Sequence, residues 1–331
     1  MTQLLDPAPA ASPPPPLVGG PRPPGYVADR TLRVVAVLAG VMVLVILGLI
    51  VWVLFDNSLD WIRTEGIGSL FSLTWEPSTG RYGAGALVVM TLMVATIALV
   101  IAVPVSVGIA LFVTEVAPRR FRLPIVFVID LLAAIPSVVF GLWVLRQLAA
   151  PLADVYASVH DAVQGIPVLE RLFGDPSASG LAIMTAGIVV AIMITPIVTA
   201  ISREVFATCP ASQKEATLAM GATRWEMIRG AVFPHSRNGV VAAVIIGFGR
   251  AVGETIAVAL VIGSSQRLTE NLFDPGDTLA SIIANQFGEA SGVQRSALIG
   301  FGLVLLVLTI VLGIVARTLL RRANRRLGVE L

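Results

Sequence analysis

The stretch that decides the fold is Val34–Phe55, VVAVLAGVMVLVILGLIVWVLF, in which no residue carries a charge. As an α-helix rising about 1.5 Å per residue, it would span about 33 Å, enough to cross the hydrocarbon core of a bilayer. A cleaved signal peptide is the competing interpretation, but the run is too long for one and no small-residue cleavage site follows it. The stretch therefore predicts a retained membrane-spanning helix.

Further apolar runs follow downstream, so the sequence predicts an all-α integral membrane protein with about six transmembrane helices. The additional runs are Gly83–Val113, Pro124–Leu148, Gly180–Ile201, Asn238–Ile262 and Ser296–Ala316. The first of these is about 46 Å long as a helix, more than a bilayer needs, and Pro104 is expected to kink or divide it. Pro136 and Pro196 are likewise expected to kink or end their helices rather than to touch a substrate.

The composition supports lipid as the main solvent and excludes several classes of function. The chain has 331 residues, of which 56% are hydrophobic and 13% charged, against about 25% charged in soluble domains. A net charge of +2 leaves no basic face for nucleic acid. Cys209 is the single cysteine, so no internal disulfide can form, and we expect it to be a small apolar filler. His160 and His235 lie far apart in the sequence, and neither a metal site nor a cofactor is predicted.

The first 33 residues differ in composition from the rest of the chain. They are rich in proline, including the run Pro13–Pro16, and proline removes backbone donors and resists helix. We predict an extended, disordered, cytoplasmic tail over residues 1–33 and a transmembrane domain over residues 34–331. A docking role for the proline run is the alternative.

The charged residues between the runs predict the orientation in the membrane. Basic residues concentrate in alternate loops and in both termini, which by the positive-inside rule predicts that both termini are cytoplasmic and that the chain is a multi-pass cell-membrane protein. The remaining loops are acidic and are expected to be solvated surface that could also meet an external partner. Their acidic residues are Asp56, Asp60, Glu65, Glu76, Asp154, Asp161, Glu170, Asp175, Glu270, Asp274, Asp277 and Glu289.

The loop at about residues 211–234, on the predicted cytoplasmic side, has a distinct pattern. It reads as a short helix, a break at Gly221, a second short helix and a stop at Pro234. Two short helices held in this way form a compact knob that could fit a groove on a soluble partner, although an ordinary amphipathic connector is the alternative. The only lysine, Lys214, is not part of a Gly-Lys-Ser/Thr phosphate loop. If ATP is used, another chain must therefore bind it.

The same loop resembles the glutamate-alanine-alanine loop of ABC importer permeases. Glu215, Ala216, Gly221 and Pro234 match that pattern in register, whereas Thr217 replaces its second alanine and Phe233 its late leucine. The resemblance implies that this segment is the coupling helix, which docks on a separate ATPase subunit.

Three further stretches narrow the resemblance. Ala133–Trp143 (AAIPSVVFGLW), Thr195–Arg203 (TPIVTAISR) and Gly249–Thr255 (GRAVGET) together resemble the phosphate-specific permeases of the PstC type. The resemblance implies a type I ABC importer permease fold and a transported anion, inorganic phosphate. It also implies three kinds of partner: a PstA-type second permease, two copies of an ATPase subunit and an external phosphate-binding protein.

Arg250 and Glu254 are the candidate residues of the substrate pathway. Both lie inside the otherwise uncharged run Val240–Ile262, and a charge at mid-membrane costs at least about 2.5–3.5 kcal/mol, so such residues usually face a bundle interior or a transport path. A spacing of four would place them on one helix face, close enough to pair, and a purely structural ion pair is the alternative. Gly249 and Gly253 have the small-xxx-small spacing that allows close helix approach.

Other candidate residues and functions remain open. Asp130 and Arg146 are weaker pathway candidates, because each lies near a predicted helix end and could reach water. Molybdate and sulfate permeases would share the cytoplasmic loop but not the Gly249–Thr255 stretch. A secondary carrier or channel would account for Arg250 and Glu254 but not for the loop. A membrane-bound enzyme is disfavoured, since no nucleophile–base pair or metal-ligand spacing stands out.

Overall fold

The fold is described from a computed structural model of residues 26–325, with side chains described for residues 30–318. Helix α1 begins at Tyr26, so the expected tail boundary at residue 33 is wrong: the helix starts soon after Pro24, the last proline of the segment. Most of the tail, residues 1–25, lies outside the described residues, and its disorder stays a prediction.

Thirteen α-helices and one antiparallel pair of short strands occur between residues 26 and 325. The helices are α1 Tyr26–Glu65, α2 Gly85–Leu111, α3 Arg119–Ala134, α4 Ser137–Trp143, α5 Ala149–Val163, α6 Pro167–Leu172, α7 Ile183–Ala207, α8 Ala211–Ala219, α9 Arg224–Met227, α10 Phe233–Val252, α11 Ile256–Val261, α12 Leu279–Gln286 and α13 Gly292–Arg325. The strands are β1 Trp75–Glu76 and β2 Arg81–Tyr82. Single π-helical segments, Phe112–Val116, Val144–Leu148 and Ile228–Val232, continue α2, α4 and α9.

Six helical stretches of the described chain are long and apolar enough to cross a membrane, which confirms the predicted all-α membrane fold. They are Arg30–Glu65, Gly85–Val116, Ser137–Val163, Ile183–Ala207, Arg224–Val252 and Gly292–Thr318. The described chain divides into two units between Trp52 and Val53. The first unit is the N-terminal part of α1, and the second contains all the elements from Val53 onward.

The core of the second unit lies between α2 and α7, with α4, α10 and α11 packed against them. The buried face of α2 carries the small residues Ala95, Ala98 and Ala102, each fully buried, and small side chains let helix backbones approach closely in a membrane. Contrary to the alternative of a divided helix, α2 continues through Pro104. Helix α7 likewise continues through Pro196.

The third span differs from its predicted bounds of Pro124–Leu148. Helix α3 ends at Ala134, and Ile135 is extended, with φ −69° and ψ 128°, because the residue before a proline disfavours the helical region. Pro136 thus separates two helices, and the span proper is Ser137–Val163. Hydropathy alone merged the two helices, since both are apolar, and placed the end of the span too early.

Small residues on α10 also make the close contacts with α7. A Cβ on Gly239 would lie 2.4 Å from Cγ1 of Val205, and a Cβ on Gly247 would lie 2.7 Å from Cγ2 of Val198. The expectation of close approach at Gly249 and Gly253 is therefore wrong within this chain: Gly249 has no neighbour within 4 Å of such a Cβ, and the nearest atoms to Gly253 are backbone atoms of its own helix. The face that packs on α7 is offset from Gly249 by two residues.

The segment between α11 and α12 is partly buried rather than all solvated. Asp277, expected to be an exposed acidic residue, is 1% exposed. Its carboxylate accepts hydrogen bonds from Ser281 Oγ and from Gln266 Nε2, each at 2.8 Å. Desolvation by this burial outweighs the two hydrogen bonds and raises the pKa of Asp277 to about 6.

Candidate functional site: a broken membrane helix and a coupling loop

The predicted fifth span is broken where the pathway candidates lie. Helix α10 ends at Val252 and α11 begins at Ile256. Arg250 lies in the last turn of α10, where the negative end of the helix dipole favours a cation. Glu254 lies in the break, where its backbone N–H donates to the carbonyl of Ala251 at 3.4 Å. A helix broken inside an apolar segment is tolerated where the chain is covered by protein or lines a water-filled cavity.

Arg250 and Glu254 do not pair on one helix face, contrary to the expectation from the sequence. The residues belong to different parts of the broken segment, and within residues 30–318 the single ion pair of opposite side chains joins Lys214 to Glu115. The helical spacing rule fails here because it requires an unbroken helix between the two positions. Arg250 is exposed and Glu254 half-buried, so both side chains are available to a ligand or to a neighbouring chain.

The two weaker candidates lie on other helices. Asp130 is exposed on α3, and Arg146 is exposed in the π-helical segment Val144–Leu148. Arg146 does not lie near a helix end as the sequence predicts, because the span continues beyond Leu148 to Val163. Arg146 thus lies inside a candidate membrane span rather than at its end.

The helix–glycine–helix pattern predicted for residues 211–234 is present in its first part. Helix α8 ends at Ala219, and Gly221 follows with φ +83°, a left-handed conformation that only glycine adopts freely. Helix α9 then begins with a capping box: Glu226 N–H donates to Thr223 Oγ1 at 3.3 Å, and Thr223 N–H donates to Glu226 Oε2 at 2.7 Å. The sequence Thr-x-x-Glu is a known signature of this cap, so this helix start could be recognised from the sequence.

The expected stop at Pro234 is wrong. Pro234 occupies the first turn of α10, and the chain is helical from Arg224 to Val252. The π-helical segment Ile228–Val232 immediately precedes α10, and a local π-helical adjustment of this kind accommodates a proline within a continuous membrane helix. The second short helix of the loop is thus the beginning of the fifth span.

The predicted coupling residues lie on the surface of the loop. Glu215 and Ala216 are exposed on α8, and no residue of that helix is buried. Large apolar side chains nearby are exposed as well, with exposed fractions of 42% for Leu218, 83% for Met220 and 62% for Trp225. These three side chains, which we call the apolar knob, are outside or at the very end of the membrane-spanning stretches.

One ion pair that the sequence did not reveal connects this loop to the second span. Lys214 Nζ of α8 donates to Glu115 Oε1 at 2.6 Å, and the two side chains are 21% and 7% exposed. Nearby, an inner cluster of Phe206, Cys209, Met227 and Val232 is buried together with Ala110 of α2. Burial raises the pKa of the Cys209 thiol, as expected for an apolar filler.

The fold is shared with transporters of known structure. The chain resembles a chain of a bacterial alginate ABC transporter, solved in complex with an alginate pentasaccharide-bound periplasmic protein, with a TM-score of 0.59 and 14% identity over 91% of this chain and 98% of that one. At this identity the likeness concerns the fold alone. Together with the six candidate spans, it defines the class of this protein as a multi-pass helical membrane protein.

Sequence comparisons identify the family. The model of the binding-protein-dependent transport system inner membrane component matches residues 102–329. Two relatives are named phosphate transport system permease protein PstC. One, from Xylella fastidiosa (strain Temecula1), is 42% identical over 81% of this chain and 82% of its own length. The other, from Mesorhizobium japonicum, is 40% identical over 88% of this chain and 89% of its own length. The chain therefore belongs to the binding-protein-dependent inner membrane components, in their PstC group, and is a permease subunit of an ABC importer.

Proposed function

We propose that this permease subunit transports inorganic phosphate and forms the translocation path with a second permease. The observation that carries the proposal is the pair of ionisable residues, Arg250 and Glu254, at a helix break inside the fifth apolar run, in a chain about 40% identical to proteins named phosphate permeases. Charged residues at membrane depth are costly and commonly mark transport paths.

The chemistry of the two side chains suits phosphate. A guanidinium such as that of Arg250 can bind two phosphate oxygens with parallel charge-assisted hydrogen bonds. An ionised carboxylate such as that of Glu254 can only accept hydrogen bonds, so it can accept one from the P–OH group of monohydrogen phosphate. Sulfate carries no proton at neutral pH, so it cannot donate a hydrogen bond to the carboxylate and would be repelled by its negative charge. Arg250 forms no ion pair within the described chain, so its guanidinium has no carboxylate to release before it binds an anion.

Two features support a cytoplasmic position for both termini. Lys214 contacts Glu115, so the loop after α2 and the loop after α7 lie at the same end of the bundle. The same end of the bundle carries the basic residues Arg119 and Arg120 at the start of α3, Arg203 near the end of α7 and Arg224 at the start of α9, and basic segments remain inside. With six spans, the two termini share that side.

The apolar knob is the proposed docking surface for an ATPase subunit. Leu218, Met220 and Trp225 are exposed outside or at the very end of the membrane-spanning stretches, and exposed apolar side chains grouped on one short segment commonly mark a protein interface. Methionine and tryptophan are also enriched in such interfaces. The other proposed partners are a PstA-type permease, a second copy of the ATPase subunit and an external phosphate-binding protein that meets the opposite face.

Uptake of labelled phosphate by cells that lack their own high-affinity phosphate permease tests the substrate and the path. The chain, expressed with its partners, should restore uptake, and excess sulfate or molybdate should not compete. Arg250→Gln should abolish uptake at an unchanged membrane level, whereas Arg317→Gln, which removes an exposed arginine from α13, is the matched control. If the chain restored uptake of sulfate or molybdate but not of phosphate, the assignment of phosphate as the substrate would be refuted.

Capture of the ATPase subunit tests the docking surface separately. Met220→Glu places a charge in the apolar knob and should reduce the amount of ATPase subunit that co-purifies with the chain from membranes. Val168→Glu, at a 69% exposed position on α6, adds the same charge outside the knob and should leave co-purification intact. Equal capture by the wild-type chain and Met220→Glu would place the ATPase contact elsewhere.

A further inference from the structure

Helix α8 lies on the surface of the protein and is connected to the transmembrane helices by few side chains. None of its nine residues is buried, and only Lys214 and Thr217 are even partly covered. Thr217 Oγ1 donates to the carbonyl of Gln213 within the same helix. No hydrophobic side chain of α8 is buried, although the helix lies beside α9 and the π-helical segment Ile228–Val232. The side-chain hydrogen bond that joins α8 to a distant part of the chain is the one from Lys214 to Glu115.

Glu115 belongs to a part of the protein that is well placed to transmit movement. It lies in the π-helical segment Phe112–Val116, which continues α2, and π-helical turns are frequent at functional sites. Helix α2 packs extensively along α7 and also against α10, the helix that carries Arg250. The C-terminal end of α8 leads through α9 and the π-helical segment Ile228–Val232 into α10 itself.

The burial of Glu115 makes the contact stiff. Its side chain is 7% exposed, and a carboxylate removed from water is strongly disfavoured without its counter-charge. The end of α2 must therefore follow Lys214 if α8 moves, or leave a buried charge unpaired. Lys214 precedes Glu215, the first residue of the coupling motif, so the bond starts at the proposed docking helix.

We propose that the Lys214–Glu115 ion pair is a positioning contact through which α8 transmits the movement of the ATPase subunit to α2, in parallel with the covalent route into α10. Two spans then move together and the pathway changes shape as one unit. The inference rests on the proposed function, since it requires that α8 docks on the ATPase. Lys214 and Glu115 touch neither phosphate nor ATP in this scheme.

The test uses the complete transporter in proteoliposomes with its ATPase, its partner permease, its binding protein and phosphate. The quantity measured is ATP hydrolysed per phosphate transported. Lys214→Met and Glu115→Gln should each raise this ratio about fivefold or more, within the usual range of coupling between sites. The double variant should be no worse than either single variant, because both remove the same interaction. Lys214→Arg and the exchange of the two charges should return the ratio toward the wild-type value.

Several outcomes would overturn the inference. An effect of Lys214→Met without an effect of Glu115→Gln would mean that Lys214 acts directly on the ATPase. Loss of thermal stability in both variants at an unchanged ratio would reduce the pair to a structural contact. The proposed function fails by a different result: if the ATPase subunit does not co-purify with the wild-type chain, α8 is not a docking helix, whatever the variants do.

Discussion

Replacing Asp277 by asparagine should stabilise the protein at neutral pH. The Asp277 side chain is 1% exposed and forms no ion pair within the described chain. Its pKa rises from 3.8 to about 6, chiefly through desolvation. A shift of about two units corresponds to about 3 kcal/mol of unfavourable free energy when the carboxyl is ionised. Asparagine fits the site without the charge, since Gln266 can turn its amide to pair with the new NH₂ group while Ser281 keeps an acceptor.

The pH dependence gives the sign of the effect. Between about pH 4 and pH 6 the folded protein binds a proton at Asp277 that the unfolded chain releases, so stability falls as the pH rises through this window and the cost is complete above it. Asp277→Asn should therefore exceed the wild type by up to about 3 kcal/mol at pH 7.5, and the difference should vanish near pH 4.

Thermal unfolding in nanodiscs between pH 4 and pH 8 measures this difference. Asp175→Asn, which removes an exposed carboxylate from the segment before α7, controls for the loss of one negative charge. Two results would refute the burial argument. The wild type and Asp277→Asn could have parallel pH profiles, or the stability of the variant relative to the wild type could be lower at pH 7.5 than at pH 4.

Three further substitutions test the site and its supports. Gly221→Val should raise ATP hydrolysis per phosphate transported, because a left-handed conformation costs a non-glycine residue about 1–2 kcal/mol, whereas Gly221→Asn should be mild; a normal ratio for the valine variant would contradict the turn assignment. The exchange Arg250→Glu with Glu254→Arg should not restore phosphate uptake, since the two residues form no ion pair; full rescue would leave only a structural role. Gly247→Ala should cost about 1–3 kcal/mol by overpacking against α7, seen as a lower unfolding temperature, and an unchanged temperature would contradict the close helix contact.

Much of the architecture follows from local patterns in the sequence. The membrane fold and the six spans could be predicted because an apolar run of sufficient length has one stable state in lipid, a helix that satisfies its own backbone. The turn at Gly221 could be predicted because the left-handed conformation is a property of one residue and its immediate neighbours. The family could be recognised from Glu215, Ala216 and the Gly249–Thr255 stretch for the same reason, because a short motif is made of residues that are neighbours in the sequence.

Tertiary structure decided the features that depend on neighbours. The break after Val252 carries no proline in the sequence, so only the packing of α10 and α11 reveals that Arg250 and Glu254 do not share a helix. Pro234 reads as a stop, yet the preceding π-helical segment lets the helix continue through it. Lys214 and Glu115 are 99 positions apart. Coulomb attraction depends on distance in space, and no local pattern records which charges the folded chain brings together.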